Sequence, residues 1–239
     1  MLTLLALDAS SSACSAALLR RETGSDDRLI SRFELTPRAH TRRLLPMVDE
    51  VLAEAGIVPS ELDALAYGHG PGSFTGLRIA AGVAQGLAFG LERPLLGVST
   101  LQALALGAHR RHRFRYLLTV LDARMGEVYA AAWRCQNDSV TALMEEALLT
   151  PRRLHVPEVG SRGGGDVPEW VGVGSGWHLK GEMPAATLAA MSQCLPDDEA
   201  AAHDMALLAA NAFAAGEGRP AHEVQPVYLR DRVAWQKRR

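Results

Sequence analysis

Aromatic residues make up only 5% of this 239-residue chain, so its core must be built mostly from aliphatic and small side chains, helix on sheet, rather than from stacked rings. Cysteine is also sparse. Cys14, Cys135 and Cys194 are odd in number and far apart, with no Cys-x-x-Cys pair and no Cys/His cluster. That spacing suggests neither a disulfide framework nor a zinc site. Cys14 sits in an apolar, strand-like run and reads as a buried free thiol. An excess of one charge is missing too, with 25 basic residues against 27 acidic ones and a net charge of -2. A domain that grips RNA by itself carries a basic face and a high pI, so any RNA contact here is local or supplied by a partner. Residues 1–7 are apolar, but the run is short, has no basic lead and is cut by Asp8. It reads as neither a signal peptide nor a membrane span, and the expected location is the cytoplasm.

What the chain does have is 48% hydrophobic residues against 22% charged, enough to bury the core of one large domain or two small ones. Residues 2–7 read as a buried strand that ends in the turn Asp8-Ala9-Ser10-Ser11-Ser12, and 13–19 as the returning strand. Residues 29–35 alternate as a third strand. Leu44, Leu45, Val48, Val51 and Leu52 recur at helical spacing from Thr41 onward, and Gly56 supplies a helix stop. A strand over 62–68, a helix over 75–90 and a strand over 95–98 follow, with Ser99 or Thr100 capping a third helix. The second half opens as the first does: an apolar strand over 117–121 ends in Asp122, a turn follows, and 128–133 returns. Two copies of strand, Asp, turn, strand suggest an internal duplication. Beyond it, 160–166 is a Gly-rich loop, 170–176 a strand entering a Gly-rich turn, and 197–215 contains a helix. The tail from 225 contains Pro and ends Lys237-Arg238-Arg239.

Three segments have the residue types for chemistry or binding. Asp8 beside Ser10, Ser11 and Ser12 at a strand end resembles the way actin-like ATPases hold a metal-bound phosphate; a hairpin turn with Asp and Ser satisfying its own backbone is the alternative. The segment His69-Gly70-Pro71-Gly72-Ser73-Phe74-Thr75-Gly76 joins a strand to a helix, with Thr75 placed to cap, and a helix N-terminus favours an anion. It is not a P-loop, because no Gly-Lys-Ser/Thr follows; a structural turn is equally compatible. In the helix after it, Gly82, Gly86 and Gly90 recur every four residues. Each glycine inside a helix costs about 1 kcal/mol relative to Ala, so three on one face imply close approach of something, either the chain's own sheet or another subunit. The basic run over 109–115 suits a solvated connecting loop or a local RNA contact. His40, lacking a second ligand, suits a cap or a partner contact better than a metal site.

These residues also carry a family resemblance. The stretch ALAYGHGPGSFTGLRIAAGVAQGLAFG (64–90) resembles the signature region of the TsaB (YeaZ-like) family, the scaffold or dimerisation subunit of the bacterial tRNA threonylcarbamoyladenosine machinery. HTRRLLPMVDEVL (40–52), GVSTLQALA (97–105), LDARMGEVYAA (121–131) and PVYLRDRVAW (226–235) are similar to further segments of that family, in family order. The likeness spans nearly the whole chain and is weakest over 135–199.

The resemblance implies an α/β, actin/sugar-kinase/heat-shock ATPase-like (ribonuclease H-like) duplicated fold. Residues 1–108 would form the first domain, with the partner-binding helices, and 109–239 a reduced second domain with a basic tail. It implies pairing with the catalytic homologue TsaD, help in recruiting the ATPase TsaE, a homodimer when alone, tRNA reached through the complex, and no membrane. The His-x-x-x-His metal motif of the catalytic relative falls here at about Thr100 and Leu104, neither of which can bind the metal. The expectation is a subunit that is not catalytic alone, has no metal site and needs no cofactor itself, ATP or ADP being candidates in the assembled complex. His40, Leu44, Leu45, Val48, Leu52, Arg78, Gly82 and Gly86 are the candidate partner-binding residues; Asp8, Ser10, Ser12, Gly72 and Ser73 are the candidate phosphate-binding ones. An ATPase or transferase of the same fold acting on its own is the alternative. A protease is the third class, for which no Ser-His-Asp set or His-Glu-x-x-His is readable.

Overall fold

The computed structural model describes residues 1–22, 24, 26–137, 139–159 and 168–230. Its first sheet joins β1 (Leu2–Asp8), β2 (Ala13–Arg21), β3 (Arg28–Leu35), β4 (Ala64–Gly70) and β5 (Leu95–Ser99) in the order β3-β2-β1-β4-β5. Its second joins β6 (Tyr116–Arg124), β7 (Glu127–Gln136), β8 (Ser139–Leu149), β9 (Trp170–Val173) and β10 (Met191–Leu195) in the order β8-β7-β6-β9-β10, which repeats the first strand for strand. In each sheet the first three strands are antiparallel and the last two join in parallel. The repeat reaches single atoms. Asp8 Oδ1 accepts the Ser10 N–H at 3.1 Å, and Asp122 Oδ1 accepts the Arg124 N–H at 2.7 Å. This is the duplicated actin-like arrangement the sequence led us to expect.

Helices α1 (His40–Ala55), α2 (Phe74–Gly90) and α3 (Thr100–His112) come from the first half, α4 (Ala185–Ala189) and α5 (Ala202–Ala214) from the second. Where the first half has the 17-residue α2 between its fourth and fifth strands, the second has a 3-10 helix (Ser175–Glu182) and the five-residue α4. The second copy is thus the reduced one.

The strands of the first sheet are apolar on both faces because both faces are covered. On β1, Leu5 and Leu7 meet the α1/α2 layer, while Leu4 and Ala6 face a central layer. That central layer is made by α3 and α5, and the second sheet closes it from the far side with Leu117, Leu121, Ala131 and Trp133. Small residues line it (Ala6, Ala17, Ala64 and Ala66 opposite Ala206, Ala209 and Ala210), which lets helix and sheet approach closely without aromatic filler. A third cluster, around Trp170 and Trp177, covers the outer face of the second sheet.

The helix over 40–55 buries Leu44, Met47, Val48, Val51 and Leu52, an i, i+3, i+4 stripe, and stops at Gly56 in the left-handed region (φ 69°). Ser99 caps α3 by accepting the Gln102 N–H. Ser73, not Thr75, caps α2, accepting the Gly76 N–H at 3.3 Å; Thr75 lies inside the first turn, exposed. The basic run was expected in a loop, but His109 to His112 form the last turn of α3, where cations suit the helix C-terminus. His109 is buried with Nδ1 2.6 Å from the Phe114 carbonyl, and Arg111 pairs with Asp198 at 2.6 Å. Cys14 is buried and free. Strand β8 had no clear sequence signal, because register shifts at Ala130/Ala132 and Ala132/Trp133 break the two-residue alternation against its neighbour. The 160–166 stretch and the basic end of the tail both lie wholly outside the described residues. Among the described residues no helix is long and apolar enough to cross a membrane.

This packing makes a specific demand on Gly172. A Cβ there would run into the indole of Trp177, which is fully buried and donates from Nε1 to the Leu118 carbonyl at 3.2 Å. Gly172→Ala should therefore lower stability by about 1–3 kcal/mol in chemical denaturation. Gly181→Ala, where nothing lies within 4 Å, should shift it by less than about 0.5 kcal/mol. Equal stability of the two variants would contradict this account of the outer layer.

Candidate functional site

The two Gly- and Ser-rich segments do come together, at the ends of β1 and β4. Asp8, Ser10, Gly72 and Ser73 all lie there, and Ser12 flanks the group with its hydroxyl donating to Glu199 at 2.5 Å. What fills the space between them is backbone. The Ser73 N–H donates to the Ser10 carbonyl at 2.7 Å. A Cβ on Gly72 would strike that same carbonyl, one on Gly76 would strike the carbonyl of Ala9, and one on Gly68 would strike the carboxylate of Asp8. The glycines of the 68–76 loop are thus required for its own close seating on the Ala9–Ser10 turn.

Asp8 is fully buried, and among the described residues its Oδ2 and the Ser10 hydroxyl have no hydrogen-bond partner. Burial pushes the Asp8 carboxyl up to about 7, against the hydrogen bond from the Ser10 N–H, and the nearby carboxylate of Glu199 pushes it the same way as burial. A metal-bound phosphate needs an ionised carboxylate, open N–H groups and compensating positive charge. Here the carboxyl is desolvated, its charged neighbour is a second acid, and the Ser73 N–H is taken. In this arrangement the loop N–H that a phosphate would need is already bonded to the Ser10 carbonyl. Concave space lies elsewhere: a crevice of about 260 Å³ bordered by His69, Gly97 and Glu217, and one of about 660 Å³ at the C-terminal end of α2.

The α2 helix presents two opposite stripes. Leu77, Ala80, Ala81, Ala84 and Ala88 are buried on the first sheet. On the other side Arg78, Gly82, Gly86 and Gly90 are exposed, and a Cβ on any of the three glycines would meet nothing within 4 Å. Of the two alternatives for this face, close approach to the chain's own sheet is therefore ruled out. Phe74 and Phe89, at the two ends of the stripe, are 55% and 78% exposed. A shallow, side-chain-free strip between two solvated aromatic rings is left facing water.

The expected surface residues of α1 divide. Leu45 is 47% exposed, but Leu44, Val48 and Leu52 are buried against the chain's own sheet and cannot meet a partner without unfolding α1. Helical spacing marked them as one group; the 100° rotation per residue puts Leu45 off their stripe. His40 is the first residue of α1, and its Nε2 donates to the Ser11 carbonyl at 3.1 Å, so it holds the serine turn; Ala39 occupies the cap position. Thr100 and Leu104 are both fully buried in α3. Among the described residues no group of three or more His, Cys, Asp or Glu side chains could hold a metal. Sequence reasoning missed Gln85, Tyr228 and Arg230, which attach the C-terminal segment to α2 and to the second half. The 226–235 segment stood out by resemblance, but nothing in its composition says what it touches.

Comparison with known proteins gives one consistent answer. The family model described as TsaD, tRNA N6-adenosine threonylcarbamoyltransferase, matches residues 29–237. The chain is 42% identical to the tRNA threonylcarbamoyladenosine biosynthesis protein TsaB of Escherichia coli K12, covering 98% of this chain and 97% of that one. It is 37% identical to the protein of the same name from Haemophilus influenzae, covering 99% and 97%. It resembles the solved structure of YeaZ from Pseudomonas aeruginosa with a TM-score of 0.85 and 43% identity, over 96% of this chain and all of that one.

The state of Asp8 has a testable consequence. Its carboxyl titrates near 7 in the folded chain against an ordinary value of 3.8. Between about pH 4 and 7 the unfolded chain therefore ionises while the folded one does not, and stability falls as pH rises. Asp8→Asn keeps an acceptor for the Ser10 N–H and removes the charge. It should match the parent near pH 4 and exceed its stability by roughly 2–4 kcal/mol at pH 8. A gain independent of pH would show that the Asp8 carboxyl is not raised by burial, and a loss at pH 8 would show that it is ionised and partnered.

Proposed function

The chain belongs to the TsaB family of tRNA threonylcarbamoyladenosine biosynthesis proteins, and we propose that it serves there as a non-catalytic scaffold. In this reading it is required for threonylcarbamoyl transfer to the adenosine at position 37, beside the anticodon, of tRNAs that read codons beginning with A. It pairs with the catalytic homologue TsaD, orders that partner's active site and helps recruit the ATPase TsaE. Alone, the same surface forms a homodimer; tRNA is reached through the complex.

The observation that carries this reading is the open glycine face of α2. Gly82 and Gly86 inside one helix cost about 2 kcal/mol of helix propensity, and nothing among the described residues lies within 4 Å of a Cβ at either to offset it. A surface without side chains gives close access to a second helix, the geometry used when backbones pack tightly. The family model that matches this chain is that of a transferase, so such pairing would join two chains of one fold. The close seating of the 68–76 loop on the Ala9–Ser10 turn supports the non-catalytic half of the reading and counts against an ATPase acting alone. Any ATP or ADP then belongs to the assembled complex.

Gly82→Leu combined with Gly86→Leu tests the face. Overpacking at an interface costs about 1–3 kcal/mol per site, so the pair should weaken TsaD binding in isothermal titration by roughly 10²-fold or more. The variant should sediment as a monomer and keep its melting temperature, because leucine suits a helix better than glycine and the space is empty. Native-affinity binding and an intact dimer would move the interface elsewhere.

A further inference from the structure

Segment 219–230 runs from one half of the molecule to the other, pinned along its length. Arg219 exchanges both backbone hydrogen bonds with Leu95 (2.8 and 3.0 Å). The Val224 carbonyl accepts from the Tyr67 hydroxyl at 3.1 Å and from Gln85 Nε2 at 2.8 Å. The Val227 N–H donates to the His69 carbonyl at 2.8 Å, and Gly70, with φ 118°, leaves room for the Val227 carbonyl. Arg230 then reaches the β6–β7 turn. It donates to the Ala123 carbonyl at 3.1 Å and pairs with Glu127 at 2.6 Å, with the two side chains only 18% and 29% exposed. That turn holds three successive left-handed residues, Arg124, Met125 and Gly126 (φ 64°, 59° and 74°), so its carbonyls are turned toward a donor from outside.

Between the Val227 and Arg230 anchors sits Tyr228. Its ring lies 5.5 Å from that of Phe74, its hydroxyl accepts from Arg78 Nε at 3.3 Å, and the Arg78 guanidinium lies 3.9 Å over the Phe74 ring. The cluster adjoins the open glycine stripe, yet contributes little to the core: Phe74 is 55% exposed and Tyr228 42%. Both Nη groups of Arg78 have no partner among the described residues. Two rings held rigid at low entropy beside an arginine are the composition of an interface anchor.

We propose that Phe74, Arg78 and Tyr228 form a second anchoring subsite of the partner surface, set in place by the Arg230 clasp, that takes an apolar or aromatic side chain flanked by a carboxylate on the catalytic homologue. This rests on the scaffold reading above. The carboxylate meets the free Nη groups of Arg78, and the apolar side chain covers the two rings. The clasp ties the subsite to the second half of the chain through the β6–β7 turn.

The test uses full-length Tyr228→Ala, Tyr228→Phe and Arg230→Ala, with the Gly82→Leu/Gly86→Leu chain as reference. Binding to the catalytic homologue is measured by titration, and docking of the segment by hydrogen exchange at the Val227 amide. Tyr228→Ala should bind at least about tenfold more weakly, and Tyr228→Phe, which keeps the ring, within about threefold of the parent. Arg230→Ala should weaken binding by roughly three- to tenfold and speed Val227 exchange. If Tyr228→Ala and Arg230→Ala bind as the parent does while the glycine variant fails, the subsite is refuted and the scaffold reading stands. If the glycine variant also binds normally, both fall. Weaker binding of Arg230→Ala with unchanged Val227 exchange would refute the clasp.

Discussion

Where the 68–76 loop meets the Ala9–Ser10 turn, backbone lies against backbone: the Ser73 N–H is on the Ser10 carbonyl, and Gly72 and Gly76 leave no room for a side chain. Much of the rest follows from that seating. It brings the ends of β1 and β4 so close that Asp8 is sealed from solvent, and burial pushes its carboxyl up to about 7. It also fixes where α2 starts, through Ser73 as its cap, and thereby which stripe of α2 meets the sheet. With Leu77, Ala80, Ala84 and Ala88 turned inward, Gly82, Gly86 and Gly90 have to face out. A loop that resembles a phosphate cradle in composition thus acts as a hinge pin, and the helix after it is what the molecule displays.

The second sheet contributes rigidity. The α3 and α5 helices give both sheets one shared core, and polar contacts join the halves around it. Ser15 Oγ accepts the Ala202 N–H at 2.8 Å, Ser12 bonds Glu199 and Ser99 bonds Glu146. In an enzyme of this architecture, opening and closing of two lobes admits and encloses substrate. Here the space between the sheets is filled with Leu104, Met205 and alanines, which suits a platform that presents a fixed surface.

Much of this was legible in the sequence. The Asp-ended hairpins at 2–19 and 117–133 pointed to the duplication because buried central strands are continuous apolar runs, and few other patterns give that signal twice. Glycines at four-residue spacing marked a helix face with a purpose. The side on which Asp8 and the serines stood was not legible, because a carboxylate and hydroxyls in a tight turn serve a phosphate and a self-satisfied hairpin alike. Only the positions of Gly68, Gly72 and Gly76 relative to the turn separate the two. The inward turn of Leu44, Val48 and Leu52 was visible in their own periodicity, and grouping them with Leu45 lost it. Strand β8 was obscured by bulges and by Glu145-Glu146 in mid-strand, where Glu146 is half-buried because it reaches Ser99. Long-range attachments such as Arg230 on the β6–β7 turn, across 107 positions of chain to Ala123, leave no local trace at all.

In the scaffold reading the molecule works through the outer face of α2 and not through the turn at Asp8. Threonylcarbamoyl transfer to tRNA, reconstituted from TsaD, TsaE and this chain, tests it most directly when the Asp8 turn and the face are altered separately. Asp8→Asn should support modification at the parental rate, and a chain with leucine at positions 82 and 86 should support almost none. Full activity with the altered face and its loss with Asp8→Asn would contradict the account and return the chemistry to the Asp8 turn.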